Sequence, residues 1–170
     1  MTTFTGAAEV EKIATDLIRK VPQHKPLADV RVEYVFRAEA TRSKGKLVLG
    51  KARLVSGLNA FLAGQIDGAF FVVEVARNTW DRLTPSQRRA LVDHELMHFI
   101  VDEDADGNYR LALRGHDLEE FADVIKRHGF WRSEVAVFSD VVAEQMSLAL
   151  DEATRFLEDD MLPPDEEPGE

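Results

Sequence analysis

The chain has 170 residues, a formal net charge of −10 and no cysteine, with 45% hydrophobic and 31% charged residues. This is the composition of a globular protein; it excludes disulfides, thiolate catalysis and cysteine-ligated zinc, and leaves histidine and carboxylate as the strong metal ligands. The charge is uneven, because the last thirteen residues, EDDMLPPDEEPGE, hold seven acids and no base; without them 24 acids face 21 bases, a balance that disfavours nucleic acid as a direct partner.

One domain is expected over residues 1–157, followed by an acidic tail, 158–170, that prolines and self-repulsion keep disordered. The opening MTTFTGAAEVEK has no basic region leading into an apolar run, and no stretch approaches the ~20 apolar residues of a membrane span. The expectation is a cytoplasmic protein with no membrane contact.

Val10, Ile13, Ala14, Leu17 and Ile18 recur at helical spacing and predict a first helix from Ala7 to Lys20, ended by Val21-Pro22. PQHKP then reads as a connector, with His24 as a surface loop residue. VRVEYVF alternates as a half-buried strand, KLVLGKARLV reads as a second strand after a turn at RSKGK, and GAFFVVEVA as a third, apolar enough to be central or well covered. Arg42, Lys44, Lys46, Lys51 and Arg53 read as solvated charge on an exposed hairpin. SGLNAFLAGQIDG stays ambiguous.

LTPSQRRALVDHELMHFIV, Leu83 to Val101, reads as one helix, with Thr84 as N-cap, Pro85 at the first helical position and Gln87 completing a capping box. The polar loop DEDADGNYR follows, then a short helix from Asp117 to His128 that buries Leu118, Phe121, Ala122 and Ile125 and ends at Gly129. His128 suits the negative end of that helix's dipole. A last helix runs from Ser133 to about Leu157. A helix, three strands and three helices in that order predict an α+β domain with a small mixed or antiparallel sheet.

Inside the long helix lies His-Glu-Leu-Met-His, residues 94–98. His94 and His98 are about 40° apart on the helical wheel and one turn removed, so both imidazoles project to one side. Two such imidazoles can share a zinc at about 2.0–2.1 Å, and Glu95, about 100° round, can reach a water on the metal rather than the metal itself. The metal would lower that water's pKa, and Glu95 would take its proton as the water attacks a polarised carbonyl. Val92, Leu96, Phe99 and Ile100, flanked by Leu91 and Val101, form an apolar face opposite the histidines and predict a central helix. The competing reading is a chance match on a helix whose core histidines are satisfied otherwise.

Catalytic zinc keeps three protein ligands and one open position, so a third ligand is required. His116, in LRGHDLEEF, is the preferred candidate. Glu119 and Glu120 are alternatives, either as ligand or as acceptors orienting a ligand histidine. Asp104 is a further possibility, although the metzincin turn would want glycine where this chain has Val101. Asp102, Asp104, Asp106 and Gly107 match the start of a calcium loop, but its twelfth position is Leu113 where a bidentate glutamate is needed, so the loop reads as a solvated turn. Tyr109 is a possible transition-state donor.

WDRLTPSQRRALVDHELMHF followed by GHDLEEFADVIKRHGFW resembles the phage metallopeptidase family, small zincin-like proteins of phages and prophages, over Trp80 to Trp131. It is more distantly similar to SprT and Spartan-type metalloproteases, although Asp117 stands where their motif has glycine and no basic extension follows. The resemblance implies His94, His98 and His116 as zinc ligands and Glu95 as catalytic base, with one Zn2+ per chain and a protein or peptide substrate. The expected architecture is minimal zincin-like: a sheet of three or slightly more strands on a central HExxH helix, with GAFFVVEVA offering a free edge to an extended peptide. The alternative is a catalytically inactive zinc-binding interaction module, or a phage effector acting by protein binding. Oligomeric state is left open.

Overall fold

The computed structural model describes residues 3–65, 68–103, 109–117, 122–129 and 133–160. Contacts group the chain into two units, residues 1–115 and 116–170, which are described separately.

The first unit opens with strand β1 (Phe4–Gly6) and helix α1 (Ala8–Lys20). Val10, Ala14 and Leu17 are buried on one side of α1, as their spacing requires. Glu9 and Glu11 lie in its first turn and Arg19 and Lys20 in its last, which suits the helix dipole. A 3-10 helix follows over Pro22–Asp29, and here the expected surface connector is corrected. His24 is only 1% exposed, and its Nε2 lies 2.6 Å from Asp93 Oδ1. A buried imidazole needs such a partner, and this one is 69 residues away, beyond the reach of any local pattern.

Next come β2 (Val32–Arg37), β3 (Thr41–Ser43), β4 (Lys46–Val48), β5 (Gly50–Val55), α2 (Gly57–Leu62), β6 (Phe70–Ala76) and the single turn α3 (Arg77–Trp80). Lys44 and Gly45 both take positive φ, the conformation a two-residue hairpin needs between β3 and β4. KLVLGKARLV is therefore two strands and not one: β4 pairs with β3, and after Leu49 the chain enters the main sheet as β5. That sheet has the order β1-β2-β6-β5, with β2 and β6 parallel and the other neighbours antiparallel. The expected α+β class with a small mixed sheet is what is observed. GAFFVVEVA, however, forms β6, which is paired on both sides and offers no free edge; β1 and β5 are the outer strands. Its unbroken apolar run reflects that central place.

Phe71, Val73 and Val75 of β6 are fully buried with Phe36, Val10, Ala14, Leu17, Trp80, Val92 and Leu96 in one core. On the other face of β6, Glu74 is 3% exposed and paired with Arg37 at 3.3 Å and Arg53 at 2.6 Å. The helix α4 (Pro85–Met97) packs its Val92 and Leu96 into the core. It ends earlier than the sequence period suggests, with His98 as its C-cap. Phe99 to Val101 belong instead to β7 (Phe99–Glu103), which pairs antiparallel with β8 (Tyr109–Leu113). The apolar residues fit either period, and the pairing with β8 decides between them.

The second unit contains α5 (Ala122–His128) and α6 (Ser133–Asp160). Gly129, with φ of +66°, closes α5 as expected. Leu118 and Phe121 lie outside the described residues, as does the tail beyond Asp160. α6 runs three residues past the expected Leu157. Among the described residues no helix is long and apolar enough to cross a membrane.

Candidate metal centre

The N-terminus of α4 is held as its sequence prescribes. The Gln87 N–H donates to Thr84 Oγ1 at 3.3 Å, and the Thr84 N–H donates to Gln87 Oε1 at 3.0 Å. Arg88 Nε donates to the Trp80 carbonyl, and the buried Trp80 indole donates to Glu9 at 3.0 Å, so the helix start is tied to α3 and α1. The next two turns carry His94 to the surface and Glu95 into the interior.

His94 and His98 stand with ring centroids 5.1 Å apart and planes at 84°. His98 Nδ1 lies 2.8 Å from the Arg114 carbonyl oxygen. A carbonyl can only accept, so Nδ1 carries the proton and the lone pair resides on Nε2. The Arg114 N–H donates in return to the His98 carbonyl at 2.9 Å, one step beyond the Phe99–Leu113 pair of the β7–β8 ribbon. Phe99 is anchored by stacking on Phe71, with centroids 4.1 Å apart and planes within 13°. The ribbon thus returns the chain to His98, and His116 follows two residues after Arg114. One ring nitrogen from each of His94, His98 and His116 lies within 4.8 Å of the others, a group able to hold a metal ion.

The donor set fits a tetrahedral divalent ion. Zinc bound by three imidazoles at about 2.1 Å wants nitrogens roughly 3.4 Å apart, and three protein ligands would leave a fourth position open. Glu95, 4% exposed, lies against β5, where the Ala52 N–H donates to its carboxylate. Burial pushes its pKa up to about 7, against the opposing effects of His98 and that hydrogen bond.

Other residues singled out in the sequence fall elsewhere. Tyr109 is 50% exposed and opens β8 opposite Glu103, at the end of the ribbon away from the Phe99–Leu113 pair. Glu119, Glu120, Asp104, Asp106 and Gly107 lie outside the described residues. Sequence reasoning missed the His24–Asp93 pair, although an aspartate directly before His94 was a signal for something that holds the helix. It also missed the Arg37–Glu74–Arg53 cluster, whose signal was a glutamate in the middle of an apolar strand. That cluster lines a cleft of about 1040 Å³ together with Thr41, Arg42 and Lys51; none of the five histidines borders it.

A capped helix with histidines at i and i+4, an inward glutamate between them and a third histidine nearby is the donor pattern of HExxH metal-dependent hydrolases. The chain belongs to the family described as "Putative phage metallopeptidase", which it matches over residues 2–142. The match takes in α1, the whole sheet and the start of α6, well beyond the motif. No curated protein and no solved structure matches the chain, so the likeness to SprT and Spartan-type proteases rests on the motif alone.

Proposed function

We propose that the chain is a zinc-dependent metallopeptidase in which His94, His98 and His116 hold one zinc per chain and Glu95 is the general base. What supports this most is the convergence of three histidine nitrogens within 4.8 Å at the end of a helix that also presents a buried glutamate. When bound, zinc supplies Lewis acidity, lowering the pKa of water and polarising a peptide carbonyl. Glu95 accepts the attacking water's proton at one carboxylate oxygen and returns it to the leaving amine. The Nδ1–H bond from His98 to the Arg114 carbonyl fixes the ring's orientation and makes Nε2 a better donor. β5, an outer strand that lies against Glu95, replaces β6 as the strand beside which an extended peptide would run. The substrate is a protein or peptide met in the cytoplasm of a bacterial host.

The test is metal analysis of purified protein joined to a cleavage assay on a peptide library. The wild type should carry one zinc per chain and hydrolyse peptides, and Glu95→Gln should keep the zinc while losing hydrolysis. A protein that takes up no zinc, or a Glu95→Gln variant as active as the wild type, would refute the reading.

A further inference from the structure

Glu95 does not reach its position by helix geometry alone, because its carboxylate occupies a slot in the neighbouring strand. A Cβ added to Gly50 of β5 would stand 2.4 Å from Glu95 Oε1, 2.8 Å from Cδ and 3.0 Å from Cγ. These distances are well inside van der Waals contact, so any side chain at position 50 competes with Glu95 for the same space. Gly50 is absent from the glycines with positive φ, so its backbone conformation does not call for glycine; the occupied space does. Two residues further along β5, the Ala52 N–H donates to the same carboxylate.

We infer that Gly50 is a positioning residue for the Glu95 carboxylate: its missing side chain forms the slot, and the Ala52 N–H holds the carboxylate in it. The catalytic consequence rests on the proposed function, whereas the slot itself does not. The atom nearest to the added methyl is the far end of a flexible side chain. A methyl at position 50 therefore displaces the carboxylate and leaves the β5–β6 pairing intact. The three atoms nearest the methyl all belong to the Glu95 side chain, so the histidine group is expected to stay in place.

The experiment is Gly50→Ala in the full chain, with far-UV circular dichroism to establish folding. Zinc binding, measured with zinc alone, should stay within about twofold of wild type, while kcat on a cleaved peptide falls about a hundredfold and KM changes little. A readout independent of activity is the Tm of chelator-treated wild type, Gly50→Ala, Glu95→Ala and the double variant. The methyl should lower Tm when Glu95 is present, and be neutral or stabilising when position 95 is alanine, where the slot is empty. Equal Tm changes in the two backgrounds would overturn the slot, and an unchanged kcat would overturn the positioning role. A wild type that binds zinc but cleaves nothing would sink the peptidase reading, and the four Tm values would still decide whether Gly50 seats Glu95.

Discussion

At its N-terminus α4 begins where Thr84 and Gln87 exchange hydrogen bonds and Pro85 sets the first helical φ; at its C-terminus it stops at His98 with neither glycine nor proline, because the chain leaves to pair with β8. The first end is built from four consecutive residues. The second is built by Arg114, sixteen residues after His98, and by Phe71, twenty-seven residues before it. The end that carries the chemistry thus depends on tertiary contacts for its termination, whereas the cap that starts the helix is self-contained and the ties from Arg88 and Trp80 only dock it. A local stop signal would end the helix, but it would not bring Arg114 opposite His98 or the following histidine within 4.8 Å of its partners.

The sharpest way to break this contrast is His98→Ala. It should abolish zinc binding, and with it hydrolysis, a loss of about a thousandfold or more, measured by metal titration and peptide cleavage. Phe99→Ala removes the stack on Phe71 without touching a ligand and should cost about 3 kcal/mol in denaturant unfolding, with weakened zinc affinity as the ribbon loosens. Undiminished zinc affinity in that variant would show that the ribbon does not hold the site.

A pH titration of the metal-free protein probes the same end. Glu95 has a folded pKa of about 7 against an ordinary value of 4.5, so between these values the folded state holds a proton that the unfolded state has lost. Stability contributed by protonated Glu95 is therefore full below pH 4.5 and falls as pH rises toward 7, by at most about 3 kcal/mol. Glu95→Gln should flatten that part of the curve; an identical curve would mean that Glu95 is not the group responsible. The smallest effect belongs to the other end: Thr84→Ala should cost about 1 kcal/mol and leave kcat unchanged.

The same contrast explains what was legible in the sequence. The capping box was readable because all its partners lie within four residues, and the apolar face of α1 because helical spacing alone reveals it. β6 was readable as a strand, and its apolar run as central or well covered, but such a run does not say which strands lie on either side, so a free edge was expected where β2 and β5 both pair. His24 looked like a loop residue because its partner, Asp93, belongs to a different element. Phe99, Ile100 and Val101 extended the helical pattern without a break, and nothing local announced that β8 would claim them. Gly50 stood in plain view as a glycine between two apolar stretches. It marked both the change of sheet partner at Leu49 and the close approach of Glu95, and it was read only as part of a continuous strand.

The buried ion cluster on the far side of the sheet acts as a proofreading device for the site. If β5 slid by one residue along β6, its two faces would exchange. Lys51 would then be thrust toward Glu95, while Arg53 would turn away from Glu74 and leave that buried carboxylate with Arg37 but without its closer cation. Misalignment is penalised on both surfaces of the strand at once, so the chain cannot complete its sheet without also opening the space that Glu95 fills.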